Sequence, residues 1–146
     1  RVGLVMSGPG IPAGQVVDAP VSTMDLPATF YDIAGVEAPM PLQSESLLPV
    51  MKDGKGRAAA YNEWSLQAVR CGVALDLRTV RTTTHRLTLE LGSNEGEMYD
   101  LVNDPDEMDN IYADPAHAEI RQHLEELIRN RPGEVLENLP EAVGIY

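Results

Sequence analysis

Several residue types are scarce in the sequence, and each scarcity limits the kind of protein that the chain can be. Cys71 is the only cysteine in 146 residues. No internal disulfide can therefore form, which favours a reducing compartment such as the cytoplasm. Aromatic residues make up 5% of the chain, so the core must depend on Leu, Val, Ile, Ala and Met. The sequence has no signal peptide and no apolar run long enough to span a bilayer. Because the chain begins with Arg1 and not with Met, the missing signal peptide carries little weight.

Positive charge is also scarce, since the formal net charge is -12. This excess of negative charge argues against nucleic acid as a partner, because phosphates would be repelled. The charge is uneven: residues 52–86 contain seven basic and three acidic residues, whereas residues 90–146 contain three basic and fifteen acidic ones. Two interpretations follow. The two halves attract each other in the fold, or the basic middle faces an anionic ligand.

The first third of the chain predicts a strand followed by a helix. Residues 2–7 form a short apolar run that ends at Gly8, which is typical of a buried strand. Residues 22–34 predict an amphipathic helix, with Ser22 as N-cap, Asp25 in the capping-box position and Gly35 as C-cap. A short apolar turn or helix follows at residues 46–51.

The rest of the chain predicts a sheet and then a final helix. Five segments have strand-like patterns: residues 58–64, 69–73, 77–82, 85–91 and 97–101. Their short links favour an antiparallel meander. Asp114 and Pro115 then open a helix with one apolar face. The fold class is therefore α+β, with a small antiparallel sheet of about four strands and a C-terminal helix packed on it.

Seven segments in one order resemble the C-terminal region of sulfatases, which belong to the alkaline-phosphatase-like superfamily. They are SGPGIPAG at 7–14, VSTMDLPAT at 21–29, DIAGV at 32–36, SLLP at 46–49, RTVRT at 78–82 with HRL at 85–87, EMYDL at 97–101, and NDPDE at 103–107 with Asn110. The resemblance implies that residues 1–55 are a strand and helix remnant of the larger α/β catalytic domain. Residues 56–131 would be the C-terminal subdomain, and residues 132–146 a tail without resemblance.

The family implies hydrolysis of sulfate esters by a formylglycine nucleophile and a divalent metal, usually calcium. The formylglycine is made from the first residue of a Cys/Ser-x-Pro-x-Arg motif, which Cys71 does not begin. The three histidines have no metal-ligand spacing, and the acidic turn at residues 104–109 lacks the glycine and the final glutamate of a calcium loop. We therefore expect no catalytic residue and no metal site in this chain, and both cofactors upstream of it.

Glu63, Trp64 and Arg78 are the candidate substrate-binding residues, in the whole enzyme only. A carboxylate beside an aromatic wall would suit a cationic group, and Arg78 would attract an anionic ester. The alternative is structural: Trp64 packs against the catalytic domain while Glu63 pairs with Arg78 or Arg81. In the same interpretation, both arginines pair with acidic residues in the segment 100–107.

The resemblance makes this chain the C-terminal part of a sulfatase, with a structural and cleft-framing role and no catalysis of its own. Its partners would be the missing N-terminal catalytic domain and, in the full protein, a sulfate ester. One alternative is a phosphodiesterase or phosphonate hydrolase of the same superfamily. Another is a non-catalytic module that self-associates through the exposed edge of a strand at residues 2–7.

Overall fold

A computed structural model describes residues 2–66 and 72–132. Its elements are α1 (Asp25–Ala34), α2 (Leu48–Asp53), β1 (Ala60–Leu66), β2 (Leu75–Arg81), β3 (His85–Glu90), β4 (Gly96–Asp100), a 3-10 turn (Pro115–His117) and α3 (Ala118–Arg129). No helix among the described residues is long and apolar enough to cross a membrane.

The four strands form one antiparallel sheet in the order β1-β2-β3-β4. This arrangement confirms the predicted α+β class and the meander. Alternate residues of a strand point to opposite faces. In the register observed, Val80 lies opposite Tyr61 on one side and Leu87 on the other, and Leu87 lies opposite Met98. One face of the sheet therefore carries a continuous apolar row.

Helix α3 covers that apolar row. Its Leu124 and Ile128 are buried in one cluster with Val80, Leu87 and Met98. The helix is preceded by the 3-10 turn, and the side chain of Asp114 caps the turn by accepting from the backbone N–H of Ala116 at 2.9 Å. Asp114 therefore caps the 3-10 turn, whereas the α-helix itself begins three residues later than predicted, at Ala118. The predicted apolar face is confirmed.

Helix α1 begins three residues later than the pattern predicts, at Asp25. The N-cap is Met24 and not Ser22, so that prediction is wrong, although the Ser22 N–H does donate to Asp25 Oδ2 at 2.7 Å. Gly35 ends the helix in the left-handed conformation, with φ 65°. The predicted apolar face, however, is not buried within the described chain. Phe30 and Ile33 are 60% and 56% exposed.

Two further strand predictions concern residues 2–7 and 69–73. Residues 2–7 have no regular structure, so the predicted strand there is wrong for this chain. A strand needs a neighbour to satisfy its backbone hydrogen bonds, and no described strand pairs with this segment. Of the predicted strand at residues 69–73, only 72 and 73 are described, and they form a bend. The tail lies outside the described residues from 133 onward.

The two edges of the sheet differ. The outer edge of β4 is occupied by the segment that precedes Asp114. Ile111 N–H donates to the Met98 carbonyl at 2.9 Å, and the side chain of Asn110 accepts from Met98 N–H at 3.0 Å. The ring of the neighbouring Tyr112 packs closely against Gly96, so that a Cβ at this position would lie 2.6 Å from the nearest ring carbon. The outer edge of β1 pairs with no other strand of the described chain.

Candidate functional site on the two faces of the sheet

Glu63 and Arg78 lie opposite each other on β1 and β2, on the face that α3 partly covers. Arg78 Nε lies 3.2 Å from Glu63 Oε1 but is not aligned for a hydrogen bond, so the contact is electrostatic. Arg78 also pairs with Asp76, and Arg131 pairs with Glu63 from beyond the end of α3. Two carboxylates and two guanidiniums thus neutralise each other, and only 12% of the Arg78 side chain is exposed.

Trp64 points to the other side of the sheet, because it is adjacent to Glu63 in a strand. It lies opposite Leu77 and is 60% exposed. Beside it, a polar row crosses the sheet, in which Asn62 lies opposite Thr79 and Thr79 lies opposite Thr88. We call the surface formed by these five residues the open face. The three predicted site residues therefore do not converge, and the expected pairing of a carboxylate with an aromatic wall is not formed.

Further along the same side of the sheet, Arg81 and Arg86 share one carboxylate. Glu107 Oε1 lies 3.4 Å from Arg81, and Glu107 Oε2 lies 2.7 Å from Arg86. The Arg86 guanidinium also lies 5.0 Å from the centre of the Tyr99 ring, which is a cation–π contact. Arg81 therefore pairs within the acidic segment 100–107, as the structural interpretation expects. Arg78 pairs elsewhere.

Sequence reasoning missed a buried polar centre around Asp25, whose exposure is 0%. Its carboxylate accepts from the backbone N–H of Ser22 and of Glu45 and forms an ion pair with Arg57. The adjacent Thr29 hydroxyl is equally buried and donates to the Asp25 carbonyl at 2.7 Å. The capping-box pattern revealed only the bond to Ser22. The other partners lie 20 and 32 residues away, which no local pattern shows.

The histidines do not form a metal site among the described residues. No group of three or more His, Cys, Asp or Glu side chains in residues 2–66 and 72–132 could hold a metal ion. Burial lowers the pKa of His85, which lies opposite Asp100, so the imidazole is neutral near pH 7. Cys71 lies outside the described residues.

Glu90 holds the turn after β3, and its protonation should weaken the fold. Its carboxylate accepts from Ser93 N–H at 2.6 Å and from Asp76 N–H at 3.1 Å. Hydrogen bonding from Ser93, and then from the Asp76 backbone, lowers the pKa of Glu90 to about 2 from an ordinary 4.5. A carboxylate with a lowered pKa contributes stability above pH 4.5 and loses that contribution as the pH falls towards 2.

We therefore expect Glu90→Gln to lower the melting temperature at pH 7 and to lose less stability than the wild type between pH 4.5 and 2. Circular dichroism melts at pH 7, 4.5, 3 and 2 measure this difference. Glu95→Gln, in the same turn, is the matched control and should follow the wild-type curve. Identical pH curves for Glu90→Gln and Glu95→Gln would contradict the assignment.

Comparison with known proteins places the chain among sulfatases. The family model described as N-sulphoglucosamine sulphohydrolase, C-terminal, matches residues 1–132. An N-acetylglucosamine-6-O-sulfatase of Bacteroides thetaiotaomicron is 32% identical over 148 residues, covering 97% of this chain and 26% of that protein. The chain spans about a quarter of the length of the curated relatives that it matches.

Solved structures show the same relationship. A 2-O GAG sulfatase superposes with a TM-score of 0.73 at 29% identity, covering 85% of this chain and 28% of that one. A phosphonate monoester hydrolase from Silicibacter pomeroyi gives a TM-score of 0.64 at 24% identity, with the same coverage of 85% and 28%. At that identity, the second comparison supports a shared fold and no more.

Proposed function

Because the chain belongs to the sulfatase family represented by the N-sulphoglucosamine sulphohydrolase C-terminal model, we propose that it is the C-terminal part of a longer sulfuric ester hydrolase. Its role in that protein is to complete the fold and to frame the substrate cleft. The observation that carries this proposal is the match over residues 1–132, which in curated relatives corresponds to about a quarter of the protein.

The exposed apolar side of α1 supports a contact with the missing part. Phe30 and Ile33 are large apolar side chains that remain mostly exposed on a helix whose other side is buried. A contiguous apolar surface of this kind is typical of an interface. We propose that the N-terminal catalytic domain covers this side of α1, and that residues 1–55 belong structurally with that domain.

The metal and the formylglycine that the family implies do not fit the described residues of this chain. Residues 2–66 and 72–132 have no group of acidic, His and Cys side chains suited to a metal ion, and the sequence around Cys71 lacks the Cys/Ser-x-Pro-x-Arg motif. We therefore place both cofactors in upstream sequence and assign no catalytic residue here.

Glu63, Trp64 and Arg78 remain the proposed contributors to substrate selection in the whole protein. Arg78 is mostly buried and already contacts two carboxylates, so it is poorly placed to take a sulfate as a new partner. We propose that Glu63 and Arg78 form a neutral, fixed pair that shapes the rim. Trp64 is the most exposed member of the three, at 60%, and unlike Glu63 and Arg78 it is not part of an ion pair, so it is the best placed to contact a ligand.

Hydrolysis by the longer protein tests the proposal directly. The longer protein and the 146-residue chain are assayed side by side with an aryl sulfate, an aryl phosphate and a phosphonate monoester. We expect the longer protein to hydrolyse the sulfate ester and the 146-residue chain to hydrolyse none of the three. Turnover of any ester by the chain alone would contradict the proposal.

The second candidate function is a phosphonate monoester hydrolase, since the chain shares its fold with such an enzyme as well as with sulfatases. In the same assay, a longer protein that cleaves the phosphonate ester and leaves the aryl sulfate intact would establish it. Sequence identity of 32% to a sulfatase, against 24% to a phosphonate hydrolase, makes the sulfate ester the expected substrate.

A further inference from the structure

The open face combines an exposed aromatic ring with uncharged hydrogen-bonding groups. The indole of Trp64 lies two residues from Asn62 on β1, a spacing of about 6.6 Å along a strand, which matches the scale of a sugar ring. Thr79 and Thr88 extend the polar row, and their hydroxyl oxygens lie 2.9 Å apart. A sheet surface of this composition offers both an apolar platform and hydrogen-bond donors and acceptors.

Charge decides which ligand this surface accepts. The nearest arginines on the same side of the sheet, Arg81 and Arg86, are already bound to Glu107. Glu97 ends the polar row opposite Thr88, and the chain as a whole carries a formal charge of -12. A sulfated unit would find no unpaired cation on the described part of this surface, because Arg86 also pairs with Glu97 at 3.7 Å. It would be repelled by Glu90, which lies opposite Leu77 on the same face, and by the net negative charge of the chain.

We propose that the open face binds uncharged sugar units of a carbohydrate chain, with one ring stacked on Trp64 and its hydroxyls bonded to Asn62 and Thr79. This inference rests on the proposed function, and it takes the substrate class from the similarity to an N-acetylglucosamine-6-O-sulfatase, so that the open face would be a second contact with a sulfated carbohydrate. The open face holds a part of the carbohydrate that carries no sulfate. This part is separate from the unit whose sulfate ester is cleaved.

Binding to the 146-residue chain tests the inference, because Trp64 is its only tryptophan. The protein is titrated with a neutral N-acetylglucosamine tetrasaccharide, and separately with the same tetrasaccharide carrying sulfate esters, while the indole emission is recorded. We expect a saturable change with the neutral probe and about tenfold weaker binding of the sulfated one. Equal or tighter binding of the sulfated probe, or no saturable change with the neutral one, would overturn the proposal.

Variants show where the sugar binds. Their binding is measured by ligand-observed NMR, because Trp64→Ala removes the fluorophore. We expect Trp64→Ala to weaken binding of the neutral tetrasaccharide about tenfold and Asn62→Ala to weaken it less. Phe30→Ala is the matched control, because Phe30 is exposed to the same extent, at 60%, and lies on α1. Circular dichroism confirms that each variant is folded. Unchanged binding by Trp64→Ala overturns the proposal.

A rival occupant of the open face is the rest of the parent protein. Hydroxyl-radical footprinting of the longer protein, read by mass spectrometry, reports the oxidation of Trp64. Oxidation comparable with that in the 146-residue chain supports a carbohydrate surface, and strong protection overturns it. A longer protein that hydrolyses sulfate esters while the chain binds no neutral sugar would refute this inference alone and leave the proposed function intact.

Discussion

Replacing Asp25 with alanine should lower the free energy of unfolding by about 3 kcal/mol, because it removes one partner of a buried ion pair. The carboxylate is fully buried and accepts from Ser22 and Glu45 as well as pairing with Arg57. Without it, two backbone N–H groups lose their acceptor, and the Arg57 guanidinium keeps its bond to the Pro20 carbonyl but loses its counter-charge. The figure lies at the low end of the range for buried pairs, since the Arg57 side chain is 22% exposed. Urea unfolding followed by circular dichroism measures the change.

Asp32→Ala is the matched control for Asp25→Ala, because both residues lie on α1 and Asp32 is exposed. Its hydrogen bond with Ser46 is also exposed, so we expect a loss below about 1 kcal/mol. Asp25→Asn keeps an acceptor but loses the charge, and should fall between the two. Equal losses for Asp25→Ala and Asp32→Ala would show that the buried centre does not stabilise the fold.

Leu87→Ala should cost about 3 kcal/mol, through lost burial and the cavity left behind. Leu87 is fully buried at the middle of the sheet, where it packs with Val80, Met98 and Leu124. These neighbours come from three different elements, so the space cannot be filled by a small shift of one of them. The midpoint of urea unfolding, with its slope, measures the effect.

The matched control for Leu87→Ala is Leu91→Ala, just beyond the end of the same strand. Leu91 is 45% exposed, so we expect a loss below about 1 kcal/mol. A loss at Leu91 as large as that at Leu87 would mean that the core is not centred on the face of the sheet covered by α3.

The sheet and the last helix could be predicted because their signals are local. Alternation of apolar and polar residues identified β3, and Leu87 is buried as that alternation requires. Asp114 followed by Pro115 marked the 3-10 turn that leads into the last helix, and the Asp114 side chain caps that turn. Antiparallel strands joined by short links leave few other arrangements, so the topology followed from the order of the elements.

The remaining features depend on contacts that are distant in sequence or absent from this chain. The apolar stripe of α1 predicted a buried face, but Phe30 is 60% exposed among the described residues. The apolar run at residues 2–7 pairs with no strand in residues 2–66 and 72–132. Because side chains alternate along a strand, the adjacent residues Glu63 and Trp64 must lie on opposite faces. Their adjacency in sequence had nevertheless suggested a shared site. The pairing of Arg131 with Glu63 spans 68 residues and had no local signal.

The unequal edges of the sheet limit how the molecule can aggregate. Backbone groups on the outer edge of β4 are engaged by Asn110 and Ile111, whereas β1 pairs with no further strand of the described chain. In a pair of molecules joined through β1, the outer strands of the described sheets would both be β4, whose edges are engaged, so we expect strand addition through this sheet to stop at a pair.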